Sequence, residues 1–377
     1  SVHEAGGLRQ LSALGGDHGS LSAHAAAHAV PPACWPELFA AVVGALLTPP
    51  RGARPVEYVD IYLPEARRTQ LHTLLETMVA PLRAPPPQPT PGGGDAGTSP
   101  LALGAPASCL TAVVTSIRDA PLEARTALDA ALRAALLDSV LQTQLASLPL
   151  VRPPPLGAIC SLLRLLRALT RSVGGTSLWG SDAAATWALS AALQSISLAA
   201  DAQHSASATR AEREGVLEAA LELVVSATSE RRAAARAGGA GGGEGALVSQ
   251  VLEVCGPNGL GGLLMQPVGT AANAHEPTAL LSPPLRELLL SLADALLTTH
   301  WKVVGTHEPA LTTVMQLLAA GLMQPADRPA FRQCLPAVRT LHSKWAGGGK
   351  VNAARAALAG ALGGGAGGAA GAGGVPP

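Results

Sequence analysis

The sequence predicts an all-α protein, an α-solenoid of antiparallel helix pairs with Gly/Pro-rich disordered insertions between them. Three observations lead there. Apolar residues recur at helical spacing in one segment after another, as in Leu38, Phe39, Val42, Val43, Leu46 and Leu47. The alternating pattern of strands is almost missing. Stretches rich in the chain's 42 Gly and 31 Pro separate the helical segments. With 48% hydrophobic and 14% charged residues over 377 positions, a large core can form and wholesale disorder is not expected.

Residues 1–33 form a segment expected to be flexible. Helical repeats are expected over 34–83. Trp35-Pro36-Glu37 opens the first helix, with Pro36 suited to a first turn, and 65–81 continue with Leu71, Leu74, Leu75 and Met78. Between them, Val56 to Tyr62 alternates and is β-rich, but one short segment makes no sheet, so it reads as an extended connector. Residues 84–107 read as a Pro/Gly-rich linker. Its Pro85–Pro91 stretch suits a spacer better than a polyproline ligand.

A second block of repeats covers 108–236. Asp119 can cap a long helix through Leu128, Leu132, Leu136, Val140 and Leu145, with Asp129 and Arg133 as a surface pair four apart. Residues 156–173 carry Ile159, Leu162, Leu163, Leu166 and Leu169 and stop at Gly174-Gly175. Trp187, Leu193 and Ile196 mark another helix. Thr209 and Glu212 have capping-box spacing ahead of Val216, Leu217, Leu221 and Val224. Residues 237–245 are nearly all glycine and read as a linker. Helices follow near 246–255, 283–301, 309–323 and 328–345, and 346–377 read as a Gly/Ala-rich tail. A solenoid tolerates such insertions because each repeat touches mainly its neighbours. No clean period of ~40 residues is visible, so the repeats are expected to be degenerate and HEAT-like. A helical bundle is the rival arrangement.

Composition also bounds function. The 26 basic and 26 acidic residues cancel, which argues against a dominant electrostatic role in binding nucleic acid or anionic membranes. No run reaches the ~18 apolar residues of a membrane span. Only three lysines (Lys302, Lys344, Lys350) stand against 23 arginines, the imprint of a GC-rich coding sequence. The chain begins Ser1-Val2-His3 with no methionine and no signal-type apolar region, so a fragment, a processed chain or an incomplete gene model is expected. Cys34, Cys109, Cys160, Cys255 and Cys334 include no CxxC and leave an odd one over, so a disulfide framework is not expected. Cys160 and Cys334 lie in apolar helical patterns and read as core filler.

The motifs of catalysis are missing. There is no GxxxxGK[ST]; the glycine-rich Gly256 to Gly262 lacks the lysine and the preceding strand that a phosphate site needs, and reads as a helix break. There is no HExxH, and Gly175 to Gly180 has the wrong spacing for a nucleophile elbow. His24 and His28 share a helical face with His18 nearby, but no third ligand stands on the same helix, so a solvated segment is the reading. Arg164, Arg167 and Arg171 form a basic stripe, and Glu212, Glu214, Glu218 and Glu222 an acidic one; both read as solvent faces. No residue is assigned a catalytic, cofactor-binding or metal-binding role, and no cofactor is expected.

The segment from Ser282 to Trp345 is the most distinctive. Ser282 is a cap candidate and Pro283 suits a first turn. Leu285, Leu288, Leu289, Leu292 and Leu296 form one stripe that ends at His300-Trp301-Lys302. After Glu308-Pro309 come Leu311, Val314, Met315, Leu318 and Leu322. Leu322-Met323-Gln324-Pro325 leads into a break at Gln324-Pro325-Ala326-Asp327, and a third helix carries Phe331-Arg332-Gln333, Leu335, Val338, Leu341 and Trp345. This order of features resembles the later repeats of exportins, in the importin-β superfamily, and within them the exportin-six branch that exports actin–profilin complexes.

The resemblance implies an armadillo-type or HEAT-repeat solenoid acting in nuclear export. It implies protein cargo, with actin–profilin as the example, and Ran-GTP as partners, and residence in both nucleus and cytoplasm. The chain would then be a fragment of an export receptor. Ala346-Gly347-Gly348-Gly349 and the tail stand where the family has further helices, and the family's N-terminal Ran-binding region is not recognisable. No Ran or cargo contact is carried over to a residue. A helical-repeat scaffold for complex assembly or trafficking, unrelated to Ran, is the alternative, and an α-helical enzyme without a recognisable motif is a third reading. The stripes predict that Leu288, Leu292, Val314, Leu318, Phe331 and Leu335 pack together and are mostly buried.

Overall fold

The computed structural model describes residues 34–47, 65–83, 101–116, 132–137, 140–151, 153–170, 182–201, 208–229, 239–256, 259–261, 282–323, 328–345 and 350–364. These residues are almost entirely helical, and no strand occurs among them. The all-α expectation therefore holds. The chain divides into two compact units, Ser1–Leu178 and Trp179–Pro377. That boundary falls inside the 108–236 block that the sequence groups together. The 1–33 segment, the Val56–Tyr62 connector, Pro85–Pro91, Asp119 and Asp129 lie outside the described residues.

The first unit contains α1 (Trp35–Leu47), α2 (Glu65–Arg83), α3 (Leu101–Ser116), α4 (Val140–Ser147), a 3-10 turn at Leu148–Leu150, and α5 (Leu156–Thr170). Helix α3 packs on α1, α2 and α5, α2 also on α1 and α4, and α4 on α5. The apolar stripes explain the core. Leu74, Leu75 and Met78 of α2 are buried, as are Ile159, Leu162, Leu163, Leu166 and Leu169 of α5. The helix expected from Asp119 to Leu145 is interrupted. Residues 132–136 are helical, Leu137 is a turn, and α4 begins at Val140. Leu132, Leu136, Val140 and Leu145 are nonetheless all buried.

Helix α3 corrects the expected linker at 84–107, because 101–107 belong to it. Small side chains make this favourable. Ala107 is fully buried, Gly104 stands where an added Cβ would lie 3.6 Å from Ser161 Oγ, and Ser108 and Ser161 hydroxyls are 3.4 Å apart. Residues that look like linker composition thus let two helix backbones approach closely.

The second unit contains α6 (Asp182–Ala200), α7 (Arg210–Ser229), α8 (Gly239–Cys255), α9 (Pro283–Thr299), α10 (Trp301–Thr306), α11 (Glu308–Leu322), α12 (Arg328–Trp345) and α13 (Lys350–Gly364). Helix α6 packs on α7 and α8; α7 on α9; α9 on α10, α11 and α12; α11 on α8, α10, α12 and α13; α8 on α10; and α12 on α13. Two expected insertions are helical. Residues 239–245 of the presumed glycine linker open α8, which Leu247, Val248 and Val251 anchor in the core. Residues 350–364 of the presumed tail form α13, an alanine-rich helix whose Ala354 is buried and which packs mainly against α11.

The capping box at α7 is formed as the spacing predicts. The Thr209 backbone N–H and hydroxyl both donate to Glu212 Oε2 at 2.9 Å, and the Glu212 N–H donates to Thr209 Oγ1 at 3.2 Å. These bonds, the backbone one first, hold the Glu212 carboxyl below its ordinary range. Because the folded-state pKa is depressed, the contribution is present above the unfolded pKa and is lost as pH falls through the folded one. Thr209→Ala is expected to lower stability by about 1 kcal/mol at neutral pH. The gap between parent and variant should narrow below about pH 4, as the carboxylate protonates in both states. Circular-dichroism melts across this pH range test it; a gap that is constant down to acid pH would exclude a carboxylate contribution.

Candidate functional site

Three polar side chains reach from one helix to a carbonyl in the last turn of another. His300, 1% exposed at the C-cap of α9, places Nε2 3.0 Å from the Thr228 carbonyl oxygen in α7. A carbonyl only accepts, so the ring proton sits on Nε2. Gln144 of α4 is buried and donates from Nε2 to the Leu82 carbonyl near the end of α2 at 2.8 Å. Arg133 donates from Nη2 to the Leu169 carbonyl near the end of α5 at 2.5 Å. The last four carbonyls of a helix have no partner within it, and burial without one costs about 1–3 kcal/mol each. Each of these side chains answers that need for a neighbouring helix, and a positive or N–H-bearing group suits the negative end of the helix dipole. Sequence reasoning did not find this recurring device. Its only signal was a polar residue beside an apolar stripe, as Gln144 stands between Leu141 and Leu145.

The cysteines behave as core. Cys109, Cys160, Cys255 and Cys334 are buried, as the apolar patterns around Cys160 and Cys334 predict, and Cys34 is exposed. Burial pushes the Cys109 and Cys334 thiols up to about 11 and that of Cys255 to about 12. At neutral pH these sulfurs stay protonated and are poor nucleophiles. Among the described residues, no group of three His, Cys, Asp or Glu is placed to hold a metal ion. No described helix is long and apolar enough to cross a membrane.

Arg164 is exposed and Arg167 half-buried on α5; Arg171 lies outside the described residues, as do His18, His24, His28 and Gly175–Gly180. Glu212 is exposed, and Glu214, Glu218 and Glu222 are half-buried on α7. Glu214 accepts from Arg210 Nε at 2.6 Å, an exposed pair one helical turn apart. Gly256 and Gly261, from the glycine-rich stretch after α8, are buried among backbone. An added Cβ at Gly261 would lie 2.6 Å from Leu317 Cδ2, so close approach explains that glycine.

One expectation fails on α12. Leu292, Val314 and Leu318 are buried and Leu288 is half-buried, but Phe331 and Leu335 are 36% and 39% exposed. The buried face of α12 is instead Cys334, Ala337 and Leu341. It packs on α9 and α11, where Gly321 admits the Cys334 sulfur and Gln333 Nε2 donates to Ser291 Oγ at 3.0 Å. Two apolar stripes run along this helix, and the smaller one fits the narrow gap between its neighbours. Phe331 and Leu335 are thereby left on the outside, beside the exposed side chains of Arg328, Arg332, Arg339 and His342.

No family model matches the chain, and no curated protein or solved structure matches it.

Proposed function

We propose that the chain is a protein-binding scaffold made of HEAT-like antiparallel helix pairs, and that it acts as part of a nuclear export receptor. One observation carries the scaffold reading: counting the six-residue α10 as the end of α9, helices within each unit contact their next-but-one neighbours in chain order. In the first unit α1, α3 and α5 contact in series, and α2 contacts α4. In the second, α6, α8, α11 and α13 contact in series, and so do α7, α9 and α12. Two rows of alternating helices are what stacked helix pairs produce, because each pair touches the pair before and the pair after. The carbonyl-capping contacts from α4 to α2 and from the end of α9 to α7 run along these rows.

The exportin class rests on the resemblance of Ser282–Trp345, which supplies α9 to α12. In that reading, Ran-GTP and a protein cargo both favour one curvature of the stacked pairs. Each then raises the affinity for the other by the same factor. Hydrolysis on Ran removes the preference and releases the cargo. The chain performs no bond-making step.

The test is binding of actin–profilin by the full-length gene product, measured with Ran-GTP, with Ran-GDP and without Ran. Ran-GTP is expected to tighten cargo binding by about 5–150-fold. Equal affinity in all three conditions, with the fold intact by circular dichroism, would overturn the export reading. Cargo binding that ignores Ran would instead support a scaffold for complex assembly or trafficking.

A further inference from the structure

We propose that the outward face of α12 is the docking site for an acidic amphipathic helix of a protein partner. This deepens the scaffold reading and rests on it, but it needs neither Ran nor any particular cargo.

With 3.6 residues per turn, Phe331, His342, Leu335, Arg328, Arg339 and Arg332 follow one another, in that order, around about 100° of the helix. All six are exposed. The two apolar side chains form one edge and the three guanidinium groups the other, with His342 beside the apolar pair. Phe331 is one of only two phenylalanines in the chain, and the other, Phe39, is buried. Together with Leu335 it gives an apolar strip one helical turn long. Packing does not require that exposure, since Cys334, Ala337 and Leu341 already seat the helix.

Charge decides what fits. From 328 to 377 the sequence carries six Lys or Arg and no Asp or Glu. That leaves 20 basic and 26 acidic residues over 1–327, so the overall neutrality conceals a basic end. Helices α12 and α13 therefore bring no acid to the arginines. None of Arg328, Arg332 and Arg339 forms an ion pair with a carboxylate of the described residues. Guanidinium groups take carboxylates in paired geometry and need no burial to do so. A partner helix with glutamates along one edge and leucines along the other satisfies both edges at once.

Other polyanions satisfy only one edge. A phosphate backbone offers charge to the arginines and no aliphatic contact to Leu335. A lipid surface would need more outward apolar area than Phe331 and Leu335 provide, because the remaining apolar side of α12 is packed on α9 and α11.

The experiment uses the full chain and a fluorescein-labelled synthetic helix with glutamate and leucine edges, read by anisotropy. Arg328→Glu/Arg332→Glu/Arg339→Glu is expected to weaken binding at least tenfold, and so is Phe331→Ser/Leu335→Ser. Arg164→Glu, at an exposed position of α5, should leave it unchanged. The affinity should fall as salt rises. All the replaced residues are exposed, so melting should stay within a few degrees of the parent. The proposal is overturned if the probe does not bind, if binding survives both α12 variants, or if a polyglutamate without leucines binds as well. It is also overturned if single-stranded DNA or vesicles with phosphatidylserine bind more tightly with the same sensitivity to the variants. Actin–profilin binding that persists in both α12 variants would leave the scaffold reading standing and remove only this site.

Discussion

Replacing Leu292 by aspartate is expected to unfold the second unit. Leu292 is 0% exposed in α9, the helix on which α7, α10, α11 and α12 all pack. The substitution removes a full apolar side chain, which alone costs about 2–5 kcal/mol. It also places a carboxyl on the buried stripe of α9, with buried Leu289 and Leu296 one turn away on the same helix. The carboxyl must stay protonated or leave the core, and either adds several kcal/mol. Set against a typical domain stability of about 5–15 kcal/mol, the sum is enough to lose cooperative folding. Leu150→Asp is the control, because Leu150 is 70% exposed and its replacement should shift stability by no more than about 0.5 kcal/mol. Urea titrations of the two variants and the parent decide the matter. A Leu292→Asp protein that unfolds at the parent's midpoint would show that the α9 stripe is assigned wrongly.

The second large effect is expected at Gly321, where three helices meet. Gly321 lies in α11, and an added Cβ would sit 2.6 Å from Cys334 Sγ of α12 and 2.9 Å from Leu290 Cδ2 of α9. Leu290 and Cys334 are themselves fully buried, so neither can swing into solvent. Gly321→Ala should therefore destabilise by about 1–3 kcal/mol, and Gly321→Val by more. The sign is the informative part, because alanine for glycine inside an exposed helix normally stabilises by about 0.5–1 kcal/mol. Gly360 of α13 has nothing within 4 Å of an added Cβ and should show that ordinary gain. Cys334→Ala removes the nearest clashing atom. Combined with Gly321→Ala it should recover part of the loss, a coupling of about 0.5–3 kcal/mol in a double-mutant cycle. If the two changes simply add, the close approach of α11 and α12 at this point is not real.

Both effects depend on how periodic patterns were resolved. Where one stripe dominates a helix, the sequence was sufficient. In α5, Ile159, Leu162, Leu163, Leu166 and Leu169 are all buried, and the Thr209–Glu212 box forms at the start of α7. Where a helix carries two stripes, periodicity names a helix but not its inward face. On α12 the larger side chains, Phe331 and Leu335, were the natural choice for burial. The gap between α9 and α11 accepts only the smaller set, Cys334, Ala337 and Leu341.

Composition misled in a related way. Glycine and alanine read as linker over 101–107, 239–245 and 350–364, yet each stretch belongs to a helix. Low intrinsic propensity at Gly104 is offset where the neighbouring α5 supplies the packing. The candidate site was legible only in parts for the same reason. The arginines of α12 stand in the sequence, but which of them share an exposed edge with Phe331 follows from the face that α9 and α11 bury.

What the sequence determined by itself is the helical class, because the spacing of apolar residues is local and needs no partner to be read. It also determined the Thr209–Glu212 cap and the burial of Cys160, which sits inside the single stripe of α5. Tertiary structure alone decided the inward face of α12, the helicity of the glycine-rich stretches and the pairing of His300 with the Thr228 carbonyl 72 residues away. Those outcomes depend on the size of the space that one helix leaves for another, and a single helix carries no record of that space in its own residues.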